Sequence, residues 1–458
     1  MSRDGHDFSV KADYSYVSPP GVDENLIDDI SRLKNDPPWI EDIRKRALKE
    51  FLDSPMPRWG PELGGLNLND LVYYIRPVTK RAETWDELPP SIRETFERLG
   101  VPESERNFLA GVGAQFESEM VYHNIKKELE SQGIIFLSMD EAVKEYPDLV
   151  RENFGKVIPV GDNKFSALTY AVWGGGSFVY VPKGVRLEKP LYAYFRMNSS
   201  NEGTFDRTLI VADEGSYIHY IENCTAPRYS QASLHSGVVE VIVKKGARVR
   251  YTSIQNWSKN VYNLVTERAR VYDGGRMEWI GGNVGSAVTM AYPASYLVGK
   301  GASTDILSLS MASGRQEIDS GGKAYHVAPE TSSTIQSKGV SMNGGRSTYR
   351  GRVYISRGAV DSKAYVKCDS LIADSSSSSY TYPYEIVNES DSTVVHEAVA
   401  GKISEEMLFY LQSRGLKEAE ARALIISGYL EDFERAIPAD FAVELNRLIE
   451  MELSESVG

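Results

Sequence analysis

The chain has 458 residues and a formal charge of −13, with 41% hydrophobic and 25% charged residues, the proportions of an ordinary folded protein. Its acidity repels phosphate backbones and no basic stripe offsets it, which excludes nucleic acid as a partner, and no apolar run approaches the roughly 20 residues that span a bilayer. The first residues carry neither the apolar segment nor the small-residue cleavage site of a secretory signal, so the expectation is a cytoplasmic protein of two or three domains, or one elongated repeat body with attachments.

From residue 1 to 163 the pattern reads as a mainly helical domain. Asp36 is placed to cap a helix that Pro37 opens, with Ile40, Ile43, Ala47 and Phe51 on one face. The stretch from Glu103 to Gln132, stopped by Gly133, reads as a longer helix, and Ile134 to Leu137 as an extended segment.

Composition then changes. From 164 to 396, Gly, Ser, Val, Tyr and Thr dominate and helical periodicity gives way to alternation, with Val239, Val241 and Val243 on one side and Glu240, Ile242 and Lys244 on the other. A β-branched run followed by a Gly turn recurs at Gly215, Gly246, Gly275, Gly301 and Gly358, with a loose period of about 28 residues. That period fits the coils of a β-solenoid, in which Gly makes the corners; a β-sandwich or a closed barrel is the alternative left open by the imperfect repeat.

The segment 397–458 reads as helical. Ser404 caps a first helix that ends at Gly415; Ala419, Ala423, Ile426, Leu430 and Phe433 line one face of a second; Pro438 opens a third with Phe441, Leu445, Leu448 and Ile449 on its apolar side.

No phosphate-binding loop, nucleophile elbow or H-E-x-x-H motif is present, which removes the common ATPase and hydrolase readings. The only cysteines are Cys224 and Cys368, too few for a disulfide framework. Cys368, His396 and Glu397 offer a thiolate, an imidazole and a carboxylate, all of which bind iron, and one solenoid period separates the cysteine from the pair. By spacing alone, a buried free cysteine with a separate surface His-Glu pair is the commoner arrangement. A cupin-like or solenoid metalloenzyme would need a more compact set of ligands than these dispersed histidines supply.

Over nearly the whole chain, motifs resemble the SufB family of iron–sulfur cluster assembly scaffolds. They include Ala171-Val-Trp-Gly-Gly-Gly-Ser-Phe-Val-Tyr-Val-Pro-Lys-Gly-Val185, Glu222-Asn-Cys-Thr-Ala-Pro227, Ile254-Gln-Asn-Trp257, Thr348-Tyr-Arg-Gly351, Lys367-Cys-Asp-Ser-Leu371, Thr381-Tyr-Pro-Tyr384, His396-Glu-Ala398 and Leu408-Phe-Tyr-Leu-Gln-Ser-Arg-Gly-Leu416. The resemblance implies a right-handed parallel β-helix between helical domains, an assembly scaffold rather than an enzyme. Implied partners are the ATPase SufC on the C-terminal helices, SufD or a second SufB along the β-helix, the cysteine desulfurase SufS with its sulfur-transfer partner, and apo iron–sulfur proteins as acceptors. It also implies a transient cluster, [2Fe–2S] or [4Fe–4S], and allows reduced flavin (FADH2) as a further cofactor.

Carried onto these positions, the resemblance makes Cys224 the acceptor of persulfide sulfur. Cys368 becomes the cluster-assembly cysteine at the subunit interface, with His396 and Glu397 as neighbouring ligands. Arg196, Asn198, Gln255 and Trp257 become lining residues of a sulfur route inside the β-helix. Glu267 departs from the pattern, standing where the family usually has a lysine of that route. A SufD-like structural subunit that accepts no sulfur is the nearest alternative.

Overall fold

The computed structural model describes residues 7–79 and 81–437, together with 442, 446 and 447. From Ser177 to Lys402 the chain winds as a β-solenoid of about eight turns, each turn placing strands in two facing sheets. The first sheet stacks Leu191–Arg196, Tyr217–Thr225, Arg248–Asn256, Arg276–Asn283, Ser303–Ser313, Ser332–Met342, Ser362–Ile372 and Ser392–Lys402, all parallel. The second stacks Ser177–Val181, Gly203–Ala212, Ser233–Val243, Val261–Val271, the split pair Val288–Ala291 and Ala294–Leu297, then Glu317–His326, Arg346–Ile355 and Ser378–Val387. Parallel pairing between successive turns excludes the sandwich and barrel alternatives, whose hairpins would pair neighbours antiparallel.

Alternation decides which side chains fill the lumen. Val239, Val241 and Val243 point inward and join one continuous core, while Glu240 and Ile242 point outward. Corners are made by glycines with positive φ, as at Gly215 (68°) and Gly246 (66°). At the third expected corner the left-handed residue is Gly274 rather than Gly275, whose added Cβ would sit 3.0 Å from the Tyr272 carbonyl oxygen.

The N-terminal region departs from the expected long helix over Glu103 to Gln132. A helix at Val101–Phe108 gives way to an antiparallel hairpin, Gly111–Phe116 and Glu119–Ile125, before a single helical turn at Lys127–Glu130. The reason is tertiary. Gly111–Phe116 adds to the first solenoid strand, Leu191–Arg196, in parallel, and Ile135–Ser138 adds antiparallel to Ser177–Val181. Together they cover the sheet edges that the first turn would otherwise expose. The opposite end has no such cover among the described residues: Tyr380, Tyr382, Tyr384, Val395 and Val399 are exposed on the last turn.

The helix Pro38–Asp53 begins at Pro38, with Pro37 at its cap and no side-chain cap bond; Asp36 instead holds Arg44 through its Nε at 2.7 Å. Ile40, Ala47 and Phe51 are buried as expected, against the helix Lys164–Val172 that lies on the outer face of the second sheet. This junction is fastened by buried charge. Arg207 pairs with Glu240, whose carboxylate also accepts from the backbone N–H groups of Gly155 (2.8 Å), Val157 (2.7 Å) and Ile158 (2.7 Å).

At the other terminus Ser404 accepts from the Met407 N–H and caps the helix Glu405–Ser413. The helix Glu418–Glu434 presses Ile426, Leu430 and Phe433 onto the outer face of the first sheet, against Ile254, Ile280, Leu309 and Met311. The expected third helix from Pro438 lies outside the described residues.

Removing one member of the buried ion pair leaves the other uncompensated, so Glu240→Ala is expected to cost about 3–5 kcal/mol in urea denaturation. Lys183→Ala, which breaks only the solvent-exposed pair with Glu214, should leave the midpoint where it was.

Candidate functional site: two cysteines at the ends of a polar lumen

Cys224 closes the strand Tyr217–Thr225 with its side chain turned into the lumen and 0% exposed. Its Sγ lies 3.6 Å from Glu222 Oε1, and the Tyr251 hydroxyl donates to the other Glu222 oxygen at 2.8 Å. Gln255 is its register partner on the next turn; the Trp257 indole N–H donates to Gln255 Oε1 at 2.7 Å, and the Trp257 ring lies 4.6 Å from that of His235. The His235 nitrogens contact Asp206 Oδ1 and Asn263 Oδ1, each at 2.7 Å.

This chamber is lined with carboxyl groups that burial pushes toward their neutral form. Burial, then Glu222 and Asp206, push the Cys224 thiol well above its ordinary range, and burial with Asp206 does the same to Glu222. Glu267 also points inward, and burial first, with Asp206 adding to it and His235 opposing it, pushes its carboxyl up to about 7. The lysine expected at that position would have supplied a counter-charge; Glu267 removes it.

Two of the residues expected to line the route do not enter the lumen. Phe195 faces inward beside Cys224, so alternation turns Arg196 outward. There its guanidinium donates to Thr225 Oγ1 at 3.1 Å and lies 4.8 Å from the Phe8 ring centroid. Asn198 follows at the corner and exchanges side-chain hydrogen bonds with the backbone of Val10, at 2.9 and 3.0 Å. With Asp7 accepting from the Arg228 N–H at 2.7 Å, the N-terminal segment lies along the corner next to Cys224.

Cys368 sits five turns away, one strand short of the open end. Its Sγ is 3.1 Å from His396 Nε2, and His396 Nδ1 is 3.0 Å from Glu385 Oε1 across the lumen. Burial, followed by Asp369 and Glu385, pushes this thiol up to about 11. The carboxylate that joins Cys368 and His396 is therefore Glu385, not Glu397. His396 faces inward, so Glu397 faces outward, where Tyr365 donates to its carboxylate at 3.3 Å; only its backbone carbonyl approaches Cys368, at 3.6 Å. Among the described residues no three His, Cys, Asp or Glu side chains form a complete metal-holding group.

Between the cysteines run two inward ladders of small and polar residues. Cys224, Gln255, Asn283, Ser310, Gly339 and Ser370 are successive register partners. So are Glu222, Ser253, Gly281, Ser308, Ser337 and Cys368. Five steps of about 4.8 Å make a path of roughly 24 Å. At Gly281 an added Cβ would meet nothing within 4 Å, whereas at Gly339 it would stand 3.1 Å from Ser347 Oγ. The signal for these ladders was present as polar residues recurring at the solenoid period, and it becomes readable only once the strand register is known.

Residues 195–429 match the family model described as SUF system FeS cluster assembly, SufBD core domain, and residues 83–192 match the SufBD protein N-terminal region. An iron-sulfur cluster assembly SufBD family protein of Staphylococcus aureus strain MRSA252 is 52% identical over 443 residues, covering 97% of this chain and 95% of the relative. Another of the same description from Staphylococcus epidermidis strain ATCC 12228 matches with the same identity and coverage. The chain belongs to the SufBD family. As a SufBD protein it takes part in iron–sulfur cluster assembly. No helix among the described residues is long and apolar enough to cross a membrane.

Two outcomes follow for this SufBD protein. The Cys368 thiol, raised to about 11, should be alkylated by iodoacetamide roughly tenfold faster per pH unit between 8 and 10, read by peptide mass spectrometry, while Cys224 stays unlabelled in the folded protein. Glu267, with a folded value near 7 against about 4.5 unfolded, contributes no penalty below about 4.5, a growing one as pH rises from there to 7, and a constant one above. Glu267→Gln should accordingly match the parent at pH 4.5 and exceed it by about 3 kcal/mol above pH 7, followed by urea denaturation across that range.

Proposed function

We propose that this chain is the scaffold subunit of its assembly complex, a SufB-type protein in which Cys224 accepts sulfane sulfur and Cys368 holds it where iron joins. The observation that carries this reading is the register: the only two cysteines stand at opposite ends of one polar lumen, Cys224 enclosed and Cys368 at the open end with His396 and Glu385. A stable iron–sulfur cluster normally has four protein ligands, mostly thiolates. One thiol, one imidazole and one carboxylate at an uncovered solenoid end make an incomplete set that a second subunit finishes, SufD or another copy. Loose, shared ligation suits a cluster that must be passed on to apo-protein acceptors.

The exposed aromatic and β-branched side chains of the last turn support a partner there. A second apolar surface supports the docking of a SufC-type ATPase: Phe409 is 72% exposed, with Met407 and Tyr410 on the same helix and Leu424 on the next. Sulfur from a desulfurase has to reach a thiol with no exposure, so delivery requires the corner at 226–232, fastened by the segment Asp7–Val10, to open.

A second reading, a structural subunit that accepts no sulfur, is favoured by one feature. Asp206, Glu222 and Glu267 surround Cys224 with carboxyl groups, which together with burial disfavour a persulfide anion there. Gly281→Leu separates the two. It fills the open part of the lumen without touching either cysteine, and the scaffold reading expects persulfide on Cys224 after incubation with a cysteine desulfurase, but loss of cluster absorbance from the assembled complex. Unchanged cluster formation would sink the lumen route, and sulfur loading that survives Cys224→Ser would favour the structural subunit.

A further inference from the structure

The outer face of the second sheet carries a site unrelated to the lumen. Where the N-terminal region meets this face, a cleft of about 440 Å³ opens between Ser54–Trp59 and Gly161–Phe165 on one side and the strands bearing Leu264–Arg268, Met290–Tyr292 and Lys323 on the other. Its walls are aromatic, with the rings of Trp59 and Tyr292 5.6 Å apart at 49°, and Trp59 is half exposed.

Its charge is unbalanced. Arg268 is satisfied by Asp162, and Arg350 by Asp319 at 2.7 Å. Lys323 has no ion-pair partner among the described residues, Asp162 and Asp319 acting on it only from farther off; its ammonium stands 4.8 Å from the Tyr292 ring centroid. Arg352, its register partner on the adjacent strand, stands beside the cleft and likewise has no ion-pair partner among the described residues; its guanidinium donates to the Tyr325 hydroxyl at 3.5 Å and lies over the rings of Tyr325 and Tyr384, with its buried Nε unpartnered. Like charges directly opposite on neighbouring strands repel. The same column places only Ala294 between Lys323 and Arg268, which keeps the space beside the ammonium open.

We propose that this cleft binds a small organic anion with a planar aromatic body, its phosphate or carboxylate head held by Lys323 with the Arg352 charge alongside, and its ring laid against Trp59 and Tyr292. A dianionic phosphate monoester matches the adjacent Lys323 and Arg352 charges, neither of which has an ion-pair partner among the described residues, and cation-adjacent aromatic walls favour a flat π-system over an aliphatic one. The cleft carries repulsion between its cations when empty, and the ligand relieves it. Burial, with Arg268 and Arg352 adding to it, lowers the Lys323 ammonium to about 8, so that part of it is an uncharged, nucleophilic amine near neutral pH and an anion beside it restores the charge.

That amine provides the test on the intact protein. Trinitrobenzenesulfonate labelling of Lys323, read by peptide mass spectrometry at pH 7.5, is measured with phenyl phosphate, inorganic phosphate or phenol as competitor. The expected result is protection by phenyl phosphate at concentrations about tenfold below those of inorganic phosphate, with phenol inert. Trp59→Leu should erase the difference between the two phosphates. Arg352→Gln should weaken phenyl phosphate about tenfold, and Lys323→Gln should raise the melting temperature of the ligand-free protein because a repulsion is removed. Labelling that neither phosphate slows would overturn the site. Equal protection by phosphate and phenyl phosphate overturns the aromatic ligand class and marks an adventitious ion only. A melting temperature lowered by Lys323→Gln would show that the ammonium is structural.

Discussion

In-register parallel stacking of strands about 4.8 Å apart is the constraint on which the rest of this molecule depends. It converts a position within one turn into a column along the whole solenoid, so that a side chain's chemistry is set by its neighbours one turn above and below. The inner columns bearing Cys224, Gln255, Asn283 and Ser310, and Glu222, Ser253, Ser308 and Cys368, are products of that rule. So is the outer column in which Lys323 meets Arg352. A single residue of slip would invert inside and outside and dismantle all three.

The two ends of the solenoid are treated differently, and the difference has a functional sense. At the N-terminal end, the hairpin Gly111–Ile125 and the strand Ile135–Ser138 cap both sheets, and buried charge between Arg207 and Glu240 ties the helices down. At the other end the last turn leaves Tyr382, Tyr384 and Val399 in the open, one strand from Cys368. Cys368, His396 and Glu385 lie beside that end, where the proposed site shared between subunits would form.

The chain chemistry also separates the two thiols. Both are raised above their ordinary range by burial, yet Cys224 faces carboxylates in an enclosed chamber while Cys368 faces an imidazole at a doorway. An imidazole within hydrogen-bond reach is a better acceptor for a thiol proton than a carboxyl held protonated by burial. Glu267 deepens that contrast, because it adds a third carboxylate to the enclosed chamber.

Much of this was legible in the sequence. Alternation of Val239, Val241 and Val243 and the recurrent glycine corners determine a repeating β body, because period and turn chemistry are local properties. Two cysteines without a disulfide framework, and the Ser404 and Gly415 signals of a C-terminal helix, are local in the same sense. What tertiary structure decided are matters of facing. Glu397 was read as a site residue from its adjacency to His396 and Arg196 from the family resemblance, but a strand turns adjacent side chains to opposite faces, so Glu385 stands beside His396 and the N-terminal segment holds Arg196. The stretch from Gly111 to Ile125 became a hairpin rather than a helix because an exposed sheet edge offered backbone partners that local propensity does not count. The polar ladders, too, are spread over residues about 28 apart, and only the register of the folded sheets brings them into line.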